Sequence, residues 1–312
     1  MNNSDHNYSK GISVEKETDE SKVNKTIKTI NNNDENRSSN WGNSHNEKNN
    51  RIKVRRNRRR ALKKICSDFV VYYNNVRGIK SKIDSLEEIL TELEPTIICL
   101  VETHMSKKEL IEITGYKIYR SDNSTQAGGI LVGVLKKVAN VTVQIKERSE
   151  VGQALWLLVD NTKIKLRIGV IYAPQENVTY AKDLKTIYKE IEQQADEARR
   201  NDEMLLIVGD FNCKIGDVVT GNDGKVSKGG RLLINTTLKK SLTIVNTVEK
   251  CKGLWTRVQP GKKKNTQKSV IDYVLVNEKL RTRVKEMMID EERALAPYHN
   301  EKDQITHVVK KV

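Results

Sequence analysis

The sequence is short of the features that mark disulfide-bonded, secreted and membrane-spanning proteins. It holds four cysteines among 312 residues, and none forms a Cys-x-x-Cys pair. Cys66, Cys99, Cys213 and Cys251 are far apart, so we expect free thiols in a reducing compartment rather than a zinc knuckle. The sequence has no run of about 18 apolar residues, and its N-terminus lacks the apolar core of a signal peptide. We therefore expect an intracellular protein without a membrane span.

Aromatic residues are also scarce, at 5% of the chain, while hydrophobic residues make up 37% and charged residues 31%. This modest apolar share indicates that part of the chain is unfolded, because an ordered segment must bury enough apolar surface to offset its loss of conformational entropy. The formal net charge is +15 at neutral pH. Such a basic balance favours a polyanionic partner, either a nucleic acid or an acidic membrane surface.

The first 64 residues have the composition of a disordered, asparagine-rich and basic extension. Nine of the twenty positions from 31 to 50 are asparagine, and seven of the ten positions from 51 to 60 are lysine or arginine. The basic run predicts a nuclear-import signal, which would place the protein in the nucleus, or a nucleic-acid-binding arm. A solvated linker is the alternative. The candidate nucleic-acid-binding residues of this run are Arg55, Arg56, Arg58, Arg59 and Arg60.

Residues 65–312 are predicted to form a folded domain rich in strands. Apolar residues at helical spacing predict helices over 82–93, 183–200 and 232–238. Apolar runs predict strands at 69–73, 96–101, 128–135, 138–145, 154–159, 164–172, 205–208, 242–245, 269–276 and 308–312. Strands outnumber helices, and several follow one another directly along the chain. This order favours two packed sheets with helices outside them over a purely parallel sheet.

The stretch from Leu205 to Asn212 combines a buried strand with polar residues at its end. Four apolar residues precede Gly209, which we expect to permit a sharp turn, and Asp210 and Asn212 follow. An Asx-turn is the alternative explanation, because Asp and Asn both favour such turns. The same pattern recurs along the domain, where polar residues follow or interrupt apolar runs at Asn75, Glu102, Tyr172, Asp210, Asn212 and Asp272.

One shared site at one edge of the sheets explains this recurrence better than six separate coincidences. A buried aspartate such as Asp272 needs a hydrogen-bonding partner, and a histidine would serve. Carboxylate oxygens without paired histidine or cysteine ligands suit Mg²⁺ or Mn²⁺ better than zinc. The sequence has neither a Gly-x-Ser-x-Gly elbow nor a plausible Cys–His nucleophile pair.

Six short motifs, in this order, resemble those of the endonuclease/exonuclease/phosphatase superfamily. They are Asn75-Val76-Arg77-Gly78, Glu102-Thr103-His104, Ile171-Tyr172-Ala173-Pro174, Gly209-Asp210-Phe211-Asn212, Trp255-Thr256 and Ile271-Asp272-Tyr273. Among the branches of the superfamily, the chain is most similar to the apurinic-type endonuclease domain of non-LTR (LINE-like) retrotransposons. The resemblance covers roughly residues 66–312.

This resemblance implies an α/β fold, namely a four-layer α/β sandwich of two packed mixed β-sheets flanked by helices. It also implies hydrolysis of phosphodiester bonds in DNA with Mg²⁺ or Mn²⁺ as the cofactor. Because the sequence predicts no membrane span, we expect no membrane partner. A reverse transcriptase encoded downstream in the same element would be a further partner.

The resemblance also assigns roles to the polar residues at the strand ends. Glu102 would bind the metal ion, and Asp210 would position or deprotonate the attacking water. Asn75 and Asn212 would contact the scissile phosphate, and Tyr172 would orient it. The physical logic agrees, because a metal ion and hydrogen-bond donors neutralise charge that builds up on phosphate oxygens, while a carboxylate handles the proton.

Three further residues receive roles by the same resemblance. Asp272 would hold the catalytic histidine, and Trp255 and Thr256 would contact the nucleic acid. For Trp255 the alternative is a plain core position, and for Tyr172 it is a packing residue before a proline turn.

Two departures from the family pattern concern the metal side and the proton-transfer side of the site. Repair-type members carry an aspartate that assists the metal at the position of Arg77, and a cation cannot ligate Mg²⁺. The family pattern also closes with Ser-Asp-His, a tripeptide that this chain lacks. We hypothesise that the chain is truncated just before this motif and that its activity is impaired, since losing a general acid–base group costs about 10²–10⁴-fold in rate. Substitution by His307 is the alternative.

Two other functions stay open beside a DNA-nicking endonuclease. One is a catalytically degenerate DNA-binding remnant, which the absent motif favours. The other is a phosphatase of the same superfamily that acts on phosphoinositides or sphingolipids. The basic run and the retrotransposon-like motifs favour the endonuclease over the phosphatase.

Overall fold

The structure is a computed structural model, and it describes residues 69–123, 128–139, 142–148, 153–160, 165–176, 181–219, 224–260, 266–290, 304–305 and 307–311. The predicted N-terminal extension and its basic run lie outside the described residues. The helices are α1 Ile83–Leu93, α2 Lys136–Ala139, α3 Ala181–Arg200, α4 Lys228–Lys240 and α5 Glu278–Arg281.

The strands supply most of the described architecture. They are β1 Val70–Asn75, β2 Ile97–Val101, β3 Tyr116–Ser121, β4 Ile130–Leu135, β5 Thr142–Arg148, β6 Ala154–Asp160, β7 Lys165–Tyr172, β8 Met204–Asp210, β9 Leu242–Ile244, β10 Cys251–Lys252, β11 Arg257–Pro260, β12 Thr266–Ser269, β13 Asp272–Asn277, β14 Glu286–Asp290, β15 Gln304–Ile305 and β16 His307–Lys311.

Two large mixed sheets and one small sheet contain these strands. The first large sheet has the order β10-β14-β16-β1-β2-β4-β3, and the second has the order β5-β6-β7-β8-β13-β9. In the first sheet, β1 runs parallel to β2 and antiparallel to β16. In the second, β8 runs parallel to β7 and antiparallel to β13. The small sheet joins β12, β11 and β15.

The two large sheets face each other across the main apolar core. Val71 and Val101 of the first sheet pack in the same cluster as Leu157 and Val208 of the second. On the outer face of the first sheet, Leu86 of α1 packs with neighbouring strand residues. On the outer face of the second sheet, α3 and α4 form a further cluster with the strands. The described residues therefore form four layers, which confirms the fold class implied by the resemblance.

Local sequence explains why the central elements form where they do. Every residue of β8 is buried, as the continuous apolar run predicts for a strand covered on both faces. Helix α1 ends at Leu93 and is capped by Glu94, immediately before Pro95. Glu94 adopts a left-handed φ of 45° and donates its N–H to the carbonyl oxygen of Leu90.

Gly209 has a different role from the turn that the sequence predicts. It lies inside β8, paired with Tyr273 of β13, and the strand continues to Asp210. A Cβ atom at this position would lie 1.9 Å from the carbonyl oxygen of Ile171 on β7. Glycine is therefore required here because the two backbones approach closely, not because the chain turns.

Some elements differ from the predicted pattern. Residues 138–139 belong to α2, and the strand predicted at 138–145 begins only at Thr142. Strand β3 and strand β14 were not predicted, and α4 is longer than the predicted 232–238. Among the described residues, no helix is both long enough and apolar enough to cross a membrane.

Candidate active site

Five of the predicted residues meet at one edge of the two large sheets. Asn75 ends β1, Tyr172 ends β7 and Asp210 ends β8, while Asp272 begins β13 and Glu102 follows β2 directly. Parallel strands bring their carboxyl ends to the same edge, and the antiparallel β13 brings its first residue there. The pairing register places Tyr172 and Asp272 on opposite sides of Asp210.

Asn75 joins the two sheets at this edge. Its side-chain Nδ2 donates to Glu102 Oε1 at 2.6 Å and to Asp210 Oδ2 at 3.0 Å. One amide group thus holds two carboxylates, one on each sheet, within hydrogen-bond distance of a single nitrogen. The Oδ1 atom of Asn75 is buried and has no hydrogen-bond partner. A buried acceptor without a partner is costly, so this oxygen is available to a ligand that enters the site.

Asp210 is buried, and its neighbours on both sides determine its hydrogen bonding and its acidity. Its Oδ1 accepts the backbone N–H of Asn212 at 2.8 Å. Burial raises the pKa of Asp210 well above its usual range, and the negative charge of Asp272 raises it further. The N–H of Asn212 opposes this rise because it stabilises the ionised form.

Asn212 itself is turned towards the adjacent loop. It adopts a left-handed φ of 46°, and its Nδ2 donates to the carbonyl oxygen of Ala173 at 2.8 Å. This conformation places the amide beside the end of β7, next to Tyr172. Its contact with a phosphate stays a prediction.

Tyr172 completes the side of the site that carries Glu102. Its hydroxyl group hydrogen-bonds to Glu102, and burial raises the pKa of Tyr172 well above its usual range. The charges of Glu102 and Asp210 act in the same direction, whereas the positive charge of Arg77 opposes them. The phenol therefore stays protonated at neutral pH and can serve as a hydrogen-bond donor.

Asp272 is held by hydroxyl groups. The hydroxyl of Tyr73 donates to its Oδ1 at 2.6 Å. Thr256 Oγ1 accepts the backbone N–H groups of Ile271 at 3.0 Å and Asp272 at 3.1 Å, and the Thr256 side chain also hydrogen-bonds to the carboxylate. Burial raises the pKa of Asp272 to about 6, and the bonds from Tyr73 and Thr256 oppose the rise.

The donor set determines which metal ion this edge could hold. Among the residues that the structure describes, no group of three or more His, Cys, Asp or Glu side chains is gathered as a metal site. Two carboxylates nevertheless lie within hydrogen-bond distance of one nitrogen of Asn75, and the amide oxygen of the same side chain is buried without a partner. These are hard oxygen donors of the kind that Mg²⁺ prefers, and a cation would reduce the repulsion between the carboxylates. The residues present therefore fit a hard divalent cation.

The remaining predicted residues lie beside this cluster or outside the described residues. Thr256 is buried against Asp272, as described above, and Trp255 is half-buried with the Lys268 ammonium 3.7 Å from the centre of its ring. His104 Nε2 lies 3.6 Å from Glu102 Oε2. His307 begins β16, where its backbone pairs with Asp290 of β14. The arginines of the basic run lie outside the described residues, and the predicted truncation stays a prediction.

Sequence reasoning missed three residues that shape the site, namely Tyr73, Lys82 and Asn246, and it named Arg77 only as a departure from the family pattern. Tyr73 was predicted only as part of a strand, although it lies two residues before Asn75 in β1 and therefore on the same face. Asn246 donates to the carbonyl oxygen of Asp272 at 3.0 Å and accepts the N–H of Val274 at 2.9 Å. Lys82 and Arg77, considered further below, belong to the same edge.

A comparison with protein families identifies the class. The model of the endonuclease/exonuclease/phosphatase family matches residues 75–293, so the chain belongs to this family. No curated protein matches the chain in sequence.

Solved structures share the fold at low sequence identity. The endonuclease domain of TRAS1, a telomere-specific non-LTR retrotransposon, is 14% identical, with a TM-score of 0.58 over 78% of this chain and 98% of that one. The 3′ phosphatase NExo from Neisseria, bound to a product DNA hairpin, is 14% identical, with a TM-score of 0.61 over 78% and 98%. The AP endonuclease LMAP from Leishmania major is 12% identical, with a TM-score of 0.62 over 78% and 88%.

Proposed function

We propose that the chain is a metal-dependent phosphodiesterase that nicks DNA, of the kind found in retrotransposon endonuclease domains. The observation that supports this most is the amide of Asn75, which bridges Glu102 and Asp210 across the two sheets. Family membership and the DNA bound to one of the similar structures support a nucleic-acid substrate.

Glu102 is the residue that would hold the cation. Its carboxylate is positioned by Asn75 on one side and by the hydroxyl of Tyr172 on the other. Bound there, Mg²⁺ would supply Lewis-acid withdrawal of charge from a phosphate oxygen.

The chain's own residues would handle the water and the phosphate. Asp210 would accept the proton of the attacking water, because its raised pKa makes it a stronger base than an ordinary carboxylate. The protonated phenol of Tyr172 and the amide of Asn212 would donate to phosphate oxygens as negative charge develops there. Asp272 would act as a positioning residue, held by Tyr73 and Thr256.

The DNA-binding remnant is kept as a second candidate, because the sequence lacks the Ser-Asp-His motif and the structure places the hydroxyl of Tyr73 on Asp272. This candidate predicts binding to DNA that weakens steeply with salt, without cleavage.

Nicking of supercoiled plasmid DNA by the full chain tests the proposal. We expect nicking with Mg²⁺, none with EDTA, and a loss of about 10²–10⁴-fold in Asp210→Asn. Glu278→Gln makes the same chemical change at an exposed position on the opposite end of β13, so it should keep the wild-type rate. DNA binding without Mg²⁺-dependent nicking would instead identify the remnant. Phosphate release from phosphoinositide vesicles, with no nicking, would identify the phosphatase.

A further inference from the structure

Arg77 lies in a short loop that is fixed by its backbone to the edge of the site. The N–H of Val76 donates to the carbonyl oxygen of Val101 at 3.0 Å, and the N–H of Gly78 donates to that of Glu102 at 2.7 Å. These two bonds tie the residues on either side of Arg77 to the segment that carries Glu102. They do not involve the guanidinium group, so the path of the loop is set independently of the Arg77 side chain.

The buried side chain of Lys82 hydrogen-bonds to the same loop. Lys82 is only 6% exposed, and its Nζ donates to the carbonyl oxygens of Val76 and Arg77, the latter at 3.2 Å. Burial lowers the pKa of Lys82, and the nearby positive charge of Arg77 lowers it further. The loop is therefore positioned by backbone and lysine contacts that would survive truncation of the arginine.

The backbone of Arg77 is in a conformation that favours glycine. Its φ is +43°, in the left-handed region, which costs a residue with a Cβ atom about 1–2 kcal/mol. The following residue, Gly78, also has a positive φ. Because glycine would fit the position at lower cost, the arginine side chain has to offset a backbone cost that glycine would not carry.

Arg77 is half-buried, and its positive charge acts within a strongly negative cluster. Its charge acts on the phenol of Tyr172, whose hydroxyl bonds to Glu102. Glu102, Asp210 and Asp272 interact with one another through their negative charges. A phosphodiester that approaches this edge is repelled by three carboxylates, and a fixed cation at the rim would offset that repulsion.

We propose that Arg77 binds a nonbridging oxygen of the scissile phosphate, on the side of the site occupied by Tyr172 and Glu102. This inference rests on the proposed function. Arg77 stands where repair-type members carry an aspartate, so the site would exchange a metal-side carboxylate for a contact with the substrate. A guanidinium group suits this contact because it matches phosphate geometry and is always charged. The added charge would be most useful in the transition state, where negative charge on the phosphate oxygens increases.

The decisive variant is Arg77→Gly, which removes the guanidinium group and suits the left-handed backbone. We expect its thermal stability to equal or exceed that of the wild type, while kcat for plasmid nicking falls by about 10²–10³-fold. Arg77→Lys keeps the charge without the forked geometry and should recover only part of the rate. Arg283→Ala, an exposed arginine beyond the opposite end of β13, controls for the loss of one positive charge.

Binding of a short duplex in EDTA gives a readout that does not depend on cleavage. The slope of log K against log salt concentration should decrease by about 1 in Arg77→Gly and stay unchanged in Arg77→Lys. If the wild type nicks and Arg77→Gly nicks as fast as Arg283→Ala, with an unchanged KM and an unchanged salt slope, the inference is wrong and the proposed function stands. If the wild type binds without nicking, the salt slope alone decides. If it neither nicks nor binds DNA, both proposals fail.

Discussion

Asp210 and Asp272 lie opposite each other on neighbouring antiparallel strands, yet different chemical groups hold their carboxylates. Asp210 accepts hydrogen bonds from amides, namely the side chain of Asn75 and the backbone of Asn212. Asp272 accepts a hydrogen bond from the hydroxyl of Tyr73, which reaches it from the other sheet. Both aspartates are buried, so the difference lies in the partners and not in exposure to solvent.

Burial is the main cause of the shifted acidity of both carboxylates, and both sets of partners oppose it. Burial raises the pKa of Asp272 to about 6 and that of Asp210 well above its usual range. At neutral pH, Asp272 is therefore ionised, and its negative charge adds to the proton affinity of Asp210. When two acidic groups share a site, environments that separate their pKa values assign their roles. The comparison supports Asp210 as the group that exchanges a proton.

The largest effect on stability should come from Asn75→Asp, which breaks the arrangement on the Asp210 side. The change replaces the donor between two carboxylates by a third negative charge, so we expect a loss of about 3–5 kcal/mol in the free energy of unfolding at pH 7. Urea unfolding of the full chain measures it. Asn75→Ala removes the bridge without adding charge and should lose about 1–3 kcal/mol. Equal losses in the two variants would show that carboxylate repulsion is weak.

A second prediction uses the acidity of Asp272. Its pKa is raised from an ordinary 3.8 to about 6, so between these values the folded protein binds more protons than the unfolded chain. The stabilising effect of this proton is present below pH 4 and is lost as pH rises through 6, by at most about 3 kcal/mol.

The Asp272→Asn variant removes this pH dependence. We therefore expect the wild type to lose stability relative to Asp272→Asn between pH 4 and pH 7 when both are unfolded in urea with EDTA present. Glu278→Gln, at an exposed carboxylate, should follow the wild type. A constant difference between the wild type and Asp272→Asn over this range would contradict the assignment.

The smallest effect should come from Tyr73→Phe, which removes one hydroxyl from the Asp272 side. The hydroxyl donates to a charged group, so we expect a loss of about 1.5–3 kcal/mol at pH 7 and a smaller loss at pH 5, where Asp272, with its pKa of about 6, is mostly protonated. Tyr116→Phe is a matched control, because the hydroxyl of Tyr116 donates to the neutral carbonyl oxygen of Pro95 at the same 2.6 Å. Its loss should be about 1 kcal/mol and independent of pH over this range. If the stability loss of Tyr73→Phe is as independent of pH as that of Tyr116→Phe, the hydroxyl of Tyr73 does not stabilise the charge of Asp272.

Much of the site could be predicted from the sequence, because strand ends carry their own signal. Asn75, Tyr172 and Asp210 each follow an apolar run, and carboxyl ends of parallel strands share an edge. The bridge from Asn75 to two carboxylates could not be predicted, since it depends on how closely the two sheets approach. The contact of Tyr73 with Asp272 also depends on the approach of the two sheets. The residue itself gives no signal of it, because an aromatic residue within a strand normally indicates packing.

The fold was predictable where the apolar pattern was continuous and less so at the sheet edges. Strand β8 is buried throughout and was found at once. Strand β3 lies at the edge of its sheet, and two of its six residues are charged, so its apolar signal is weak. Strand β14 has three apolar residues between two acidic ones, and it lies in a segment that is otherwise polar. Short apolar stretches interrupted by charge were therefore not enough to predict either strand.

The position of β16 has a consequence for how the protein is made. This strand, residues 307–311, lies between β1 and β14, and β1 carries Tyr73 and Asn75. During synthesis, the ribosome makes β1 more than two hundred residues before β16. Until then, one edge of β1 offers unpaired backbone groups to any neighbouring chain, and such open edges invite aggregation. The nascent chain therefore depends on late insertion of a strand into the middle of a sheet, and we expect its yield to be sensitive to chaperones.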